Sequence, residues 1–94
     1  MNRTTTSTRV ALGQIMIAPD AQEQQESAEV RAALRRHARG DWGEASPDEV
    51  ADNERGLRED GGVRSIVRDR RDARFGVLTN GHRTATLVVT WTAD

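Results

Sequence analysis

Apolar and polar positions in the first half of the chain change from the pattern of a strand to that of a helix. Residues 9–17 (RVALGQIMI) are rich in apolar and β-branched side chains, and Pro19 forbids continuation of a ladder, so they predict a strand. Residues 20–40 predict a helix, because acidic side chains come early and arginines late, as the helix dipole prefers. Helical apolar spacing begins only near Val30, so a later helix start at Ser27 stays open.

A second helix is predicted by its start signal. Ser46, Pro47 and Glu49 have the spacing of a capping box with proline at the first helical position. The helix is expected to run from Pro47 to about Arg58, where the sequence EDGG ends it. Its buried stripe is predicted to contain Val50, Asn53 and Leu57.

Three strands follow the second helix. The segments 63–69, 74–79 and 83–91 carry alternating side chains, and Asn80-Gly81 is typical of a type I′ hairpin turn. In the last segment Ala85, Leu87, Val89 and Trp91 fall on one side of the strand. The element order predicts an α+β fold: an antiparallel sheet of about four strands (strand, helix, helix, three-strand meander) with two helices packed on one face.

Length and composition narrow the class of protein. A chain of 94 residues fits one domain, predicted to span residues 9–94 behind a polar, disordered tail at residues 1–8. The chain has no cysteine, which excludes a disulfide framework and a thiolate metal site and favours a cytoplasmic location. No apolar run approaches the ~18 to 20 residues that cross a bilayer, so no membrane partner is expected.

Residues 37–44, HARGDWGE, have the residue types of a chemical site. A zinc site built from His37, Asp41 and Glu44, with His82, would lack the cysteines and further histidines that such sites commonly use. A hydrolase with His37 as general base beside Asp41 is chemically feasible. His37 falls on the apolar stripe of its helix, however, where a histidine is usually a packed residue. We therefore predict no catalytic residue, no cofactor and no metal.

The same segment predicts a rigid corner between the two helices. Gly40 stands where a left-handed residue ends a helix, and Gly43 lets the backbone reverse. Trp42 is expected to pack between the helices and the sheet and to donate its indole N–H to a loop carbonyl. The amide of Asn53 is expected to bind the backbone of the corner. The residues predicted to be buried are His37, Trp42 and Asn53, and Glu44 is predicted to lie in solvent.

Charge is unevenly distributed along the chain. Residues 41–60 form an acidic block with a net charge of −6, and residues 63–75 form a basic stretch with a net charge of +3. The acidic block predicts a surface for a protein partner, formed by Asp48, Asp52, Glu59 and Asp60. The basic stretch offers the alternative of nucleic-acid contacts through Arg64, Arg68, Arg70, Arg71 and Arg74.

These segments resemble a family of small proteins found widely in plasmids and integrated elements of GC-rich bacteria, whose members share an HxxGDWGE core. The matching segments are LGQI at 12–15, RHARGDWGE at 36–44, 48–57, Ser65 and 77–87. Where the family usually reads TEADRS, this chain reads TNGHRT, which keeps Thr79 and Arg83 but loses both carboxylates. Members are often labelled as a restriction-modification methylation subunit, yet the cofactor-binding glycine loop and the N-P-P-Y-type motif that a methyltransferase needs are absent.

The resemblance implies an accessory protein of a mobile element. Small size, missing catalytic motifs and the acidic block favour a non-enzymatic protein–protein interaction module. Its expected partner is a bacterial defence complex that it inhibits, in the manner of an anti-CRISPR or antirestriction protein. The alternative is a nucleic-acid-binding accessory or regulatory protein that uses the arginine-rich hairpin.

Overall fold

A computed structural model describes residues 8–91 of the chain. Within these residues, three helices and a four-stranded sheet confirm the predicted α+β fold. The strands are β1 (Gln14–Ile17), β2 (Val63–Arg68), β3 (Arg74–Thr79) and β4 (Ala85–Thr90). The helices are α1 (Pro19–Gln24), α2 (Ser27–Ala38) and α3 (Pro47–Glu59). Most of the predicted N-terminal tail and the last three residues of the predicted domain lie outside the described residues.

The sheet has the strand order β1-β4-β3-β2 and is mixed. β2, β3 and β4 form the predicted antiparallel meander. β1, however, pairs parallel to β4, so the prediction of an antiparallel sheet was wrong for this strand. All three helices lie between β1 and the meander in the chain, and such a crossover permits a parallel pair that no hairpin could make.

The first predicted helix is interrupted. Gln25 has extended backbone angles (φ −111°, ψ 139°), so α1 and α2 are separate, and α2 begins at Ser27, the alternative start. The break lets each helix bury its own residue, Ala21 from α1 and Val30 from α2. α3 starts with the predicted capping box and ends one residue beyond the predicted position, at Glu59. No helix in the described part of the chain has the length and hydropathy of a membrane span.

Two loops differ from their predictions. The first strand covers only the end of its predicted segment, because Arg9 and Val10 donate their backbone N–H groups to the carbonyl of Ala38 instead of entering the sheet. The turn between β3 and β4 spans residues 80–84 and has its left-handed residue at Arg83 (φ 58°), so the type I′ turn at Asn80-Gly81 was wrong. The Asn80 side chain accepts the N–H of Thr84 and closes this longer loop.

One face of the sheet carries the core. The side chains buried on this face alternate along β2, β3 and β4, as a pleated strand requires; they include Val63, Ser65, Val67, Phe75, Val77, Thr79, Thr86 and Val88. The helices pack on this face through two apolar clusters, one with α1 and α2 and one with α3. Ile66 is buried on the opposite face, and its backbone forms a bridge to Gly43. The side of β4 that carries Leu87, Val89 and Trp91 is the outer one, where Trp91 lies over Gly76 and under the guanidinium of Arg64.

Candidate functional site

A chain of hydrogen-bonded hydroxyl groups meets His37 inside the core. His37 Nδ1 lies 2.6 Å from Ser65 Oγ, and Nε2 lies 2.9 Å from Thr79 Oγ1. Thr79 Oγ1 is 2.7 Å from Thr86 Oγ1, whose hydroxyl donates to the carbonyl of Leu12 at 2.7 Å. None of the four side chains is more than 3% exposed, so the burial expected for His37 is observed.

These hydrogen bonds have one self-consistent direction. Because the Thr86 hydroxyl donates to a carbonyl, its oxygen accepts from Thr79, and the Thr79 oxygen accepts from Nε2–H of His37. Nδ1 is then the acceptor for the Ser65 hydroxyl. Burial, reinforced by the positive charge of Arg83, lowers the pKa of His37 to about 4, so the ring is neutral at physiological pH.

Ser65 Oγ and His37 Nδ1 have the separation of a nucleophile and its base, but the pair is closed off from solvent. Both side chains are 0% exposed, so a substrate cannot reach the hydroxyl. Asp41, the expected partner of His37 in a hydrolase, binds Arg36 at 2.9 Å instead, and this hydrogen bond lowers the pKa of Asp41. Across residues 8–91, no three histidine, aspartate or glutamate side chains converge as metal ligands.

Trp42 fixes the corner between α2 and α3. Its side chain is buried, and its ring stands edge-on to the imidazole of His37 with the centroids 5.6 Å apart. Its indole N–H donates to the carboxylate of Glu54 at 3.2 Å, so the expected loop-carbonyl acceptor was wrong. Arg9 binds the same carboxylate at 2.8 Å, and Arg9 and Trp42 together lower the pKa of Glu54.

Both glycines of the corner have a left-handed backbone, which the sequence predicts at Gly40. Gly40 follows the end of α2 with φ 85°, and Gly43 has φ 67°. A Cβ atom at Gly43 would lie 2.1 Å from the carbonyl oxygen of Ile66, closer than any side chain can approach. Gly43 is therefore required by the contact between the corner and β2.

The corner and α3 together close the outer edge of β2. Asn53 donates to the carbonyl of Arg64 at 2.7 Å and accepts its N–H at 2.9 Å. Further along, Ile66 donates its N–H to Trp42 at 3.2 Å and accepts the N–H of Glu44 at 2.7 Å. The expectation that Asn53 binds the corner was wrong, because the buried stripe of α3 faces the strand edge beside it. Arg64 and Ile66, two of the three β2 residues whose backbone groups point away from β3, are thus paired; Arg68 is the third.

The opposite edge of the sheet, at β1, is open. β1 is the terminal strand of the sheet and, among residues 8–91, pairs only with β4. Ile15, Met16 and Ile17 are 44%, 44% and 38% exposed, and Leu87, the neighbour of Met16 on β4, is 37% exposed. These four side chains, which we call the β1 patch, lie along the edge on both faces of the sheet, with Ile15 and Ile17 on the helix face and Met16 and Leu87 on the outer face. They are the exposed large apolar residues in the described part of the chain. Monomeric proteins usually protect such an edge with charge, proline or a covering element.

The sequence contains a signal for this patch in addition to the strand that its apolar pattern predicts. QIMI places apolar side chains on both faces of β1, so one of them must lie outside the core. No charged residue occurs between Arg9 and Asp20, so the edge also lacks the lysine or arginine that commonly blocks pairing. Only the position of β1 at the end of the sheet turns these features into an exposed surface.

The predicted acidic surface is exposed but partly neutralised. Asp48, Asp52 and Glu59 lie on one face of α3, and Asp60 follows the helix. Arg55 lies on the same face and pairs with Asp52. The other carboxylates of the acidic block bind arginines: Asp41 to Arg36, Glu44 to Arg68, Glu49 to Arg64 and Glu54 to Arg9. A partner contact through this face stays a prediction.

The arginines of the predicted nucleic-acid surface are mostly engaged. Arg68 pairs with Glu44 at 2.8 Å and Asp72 at 2.9 Å, and Arg70 pairs with Glu26 at 2.6 Å. Arg64 and Arg71 also have carboxylate partners, Glu49 and Asp69. Among these five arginines and within residues 8–91, Arg74 alone lacks such a pair. Phosphate binding by the other four would have to compete with these existing pairs.

Comparison with known proteins identifies no relative of this chain. No protein-family model matches the chain, and neither a curated protein nor a solved structure is significantly similar to it.

Proposed function

We propose that this chain is a protein–protein interaction module that binds through its β1 edge. The observation that supports this proposal is the contrast between the two edges of one sheet. The β2 edge is covered by Asn53 and by the corner at Trp42–Glu44, whereas β1 exposes the apolar β1 patch. A sheet with one closed and one open edge has a single direction in which a further strand can be added.

The backbone of β1 suits strand addition. Gln14 donates its N–H to the carbonyl of Thr84, just before β4, and Ala18 donates to Val88 in β4, so the even-numbered residues face β4 in this parallel pair. The N–H and C=O groups of Ile15 and Ile17 consequently point away from the sheet. An incoming strand would gain affinity from these backbone groups and specificity from apolar side chains spaced two residues apart.

The resemblance to proteins of plasmids and integrated elements supports a biological role for this module in a mobile element. We propose that it acts in the bacterial cytoplasm as an accessory protein of a mobile element and inhibits a host defence complex. The exposed acidic residues of α3 then provide a second contact for a basic region of that complex. The buried Ser65–His37 pair takes no part in this function, because solvent does not reach it.

A phage plating assay in cells that carry a CRISPR or restriction system tests the proposal. The wild-type chain is expected to raise the plating efficiency of a targeted phage, and Ile17→Lys is expected to abolish the effect by placing a charge on the pairing edge. Ala32→Lys, at an exposed position on α2, is the matched control and keeps the wild-type effect. A wild-type chain without effect on any defence system would overturn the inhibitory role, and an active Ile17→Lys would overturn the edge.

The affinity of the chain for duplex DNA, measured across a series of salt concentrations, tests the nucleic-acid alternative. Phosphate contacts produce a steep linear fall of log affinity with log salt concentration. A steep slope that Arg74→Gln reduces would favour nucleic-acid binding over the protein interface. No measurable affinity at low salt would remove that alternative.

A further inference from the structure

We propose that a second copy of this chain occupies the β1 edge, with the two β1 strands paired antiparallel about a twofold axis at Met16. The inference rests on the proposed β1 interface and names its occupant in the free protein, a weakly paired second copy that yields the edge to a defence complex. In β1 the outward-facing backbone groups belong to Ile15 and Ile17, which lie symmetrically on either side of Met16. An edge with this arrangement is complementary to itself.

The backbone pairing follows from that symmetry. Ile15 of one protomer faces Ile17 of its partner, and each such pair exchanges both N–H···O=C hydrogen bonds. Met16 faces Met16 of the partner subunit at the axis, as a pair without hydrogen bonds whose side chains approach closely. Every outward backbone group of Ile15 and Ile17 then has a partner.

The side chains fit the same register. Ile15 and Ile17 lie beside Thr86 and Val88, and therefore on the face of the sheet that carries the helices. A groove of about 280 Å³ opens next to Ile17, between α1 and α2. Its apolar lining includes Ile17, Val30 and Leu34. In the antiparallel register the partner's Ile15 lies across from Ile17, at the mouth of this groove.

Charge favours the antiparallel arrangement. The strand itself is uncharged, and acidic residues (Asp20 and Glu23) follow it, whereas Arg9, the nearest charged residue before it, is paired with Glu54 near the corner. Parallel pairing would bring the acidic ends of the two strands together, whereas antiparallel pairing separates them. The net charge of −1 adds little repulsion between two copies.

The size of the contact sets the expected strength. A four-residue strand spans only about 13 Å, so the interface falls below the roughly 800 Å² per partner of a standard stable complex. The dimer is therefore a weak one that forms as the protein concentration rises. In sedimentation equilibrium, the apparent mass of the wild-type chain is expected to rise towards twice the monomer mass, and Ile17→Lys is expected to stay monomeric.

Disulfide cross-linking tests the register, because the chain contains no cysteine. In Met16→Cys the two thiols meet at the axis, where the Cα atoms of such a pair lie ~4.5 Å apart, within disulfide range. In Ile15→Cys the two thiols, one in each protomer, lie on opposite sides of the axis, and the Cα atoms of the two residues are ~9 Å apart, beyond that range. Mild oxidation should therefore give a covalent dimer with Met16→Cys and not with Ile15→Cys, while a mixture of Ile15→Cys and Ile17→Cys should cross-link between the two variants.

The outcomes distinguish this inference from the proposed function. If the wild-type chain stays monomeric to millimolar concentration, or if Ile15→Cys cross-links as readily as Met16→Cys, the second copy in this register is overturned. Loss of plating activity in Ile17→Lys would then still support the edge as an interface to another protein. Conversely, a cross-linked dimer beside an unchanged plating activity in Ile17→Lys would support the dimer and overturn the proposed function.

Discussion

Asn53→Ala removes the side chain that substitutes for a neighbouring strand at the β2 edge. The two hydrogen bonds lost, from Nδ2 to the Arg64 carbonyl and from the Arg64 N–H to Oδ1, are 2.7 and 2.9 Å long. Each contributes about 0.5–1.5 kcal/mol net, and leaving the partner groups of a buried side chain unpaired adds about 1–3 kcal/mol. Because Asn53 is only 4% exposed, we expect a loss of ~2–6 kcal/mol in the free energy of unfolding.

Urea unfolding followed by circular dichroism measures this loss directly. In thermal unfolding, the melting temperature of a domain of this size should fall by about 4–8 °C for each kcal/mol lost in the free energy of unfolding. Asp52→Ala is the matched control, since Asp52 is the exposed neighbour whose only ion pair, with Arg55, lies in solvent; its effect should stay within about 0.5 kcal/mol. An Asn53→Ala variant as stable as the Asp52→Ala control would refute the edge-closing role.

Three other substitutions or titrations test the corner. In an NMR titration His37 should stay neutral until about pH 4. Because its pKa in the unfolded chain is higher, 6.5, the free energy of unfolding should be full above pH 6.5 and fall by roughly 3 kcal/mol towards pH 4. A titration midpoint near 6.5 would contradict the buried network. Gly43→Ala should cost at least about 1–2 kcal/mol in unfolding free energy from its left-handed φ alone, with the clash against Ile66 added, and a neutral effect would contradict the contact. Trp42→Phe should raise the pKa of Glu54 towards its ordinary value, as a carboxylate titration would show, and should lower the free energy of unfolding by about 1 kcal/mol, as thermal unfolding would show. An unchanged pKa of Glu54 would mean that the indole N–H does not donate to this carboxylate.

Local signals predicted the local structure well. The capping box at Ser46 and Glu49 places the start of α3, and the left-handed Gly40 ends α2, because such signals depend on backbone groups a few residues away. The alternating strands of the meander and the burial of His37 also follow from periodicity. These features need no knowledge of which element lies next to which.

Long-range partners could not be predicted in the same way. The direction of β1, the binding of Asn53 to β2 and the carboxylate acceptor of Trp42 depend on how distant elements meet. The acidic block illustrates the limit most clearly, because its net charge is visible in the sequence but its arginine partners come from α2, β2 and the segment before β1. The same limit kept the β1 patch out of the predicted interface, since an apolar strand is exposed only if it ends the sheet.

Amide hydrogen exchange, followed by NMR as the protein concentration is raised, tests the central claim that β1 is the open, binding edge and β2 the closed one. In the dilute monomer the amides of Arg64 and Ile66 should be protected by their bonds to Asn53 and Trp42, and those of Ile15 and Ile17 should exchange rapidly. At high concentration, Ile15 and Ile17 alone should gain protection. Equal protection of both edges in the monomer, or no gain at Ile15 and Ile17 on association, would contradict the account.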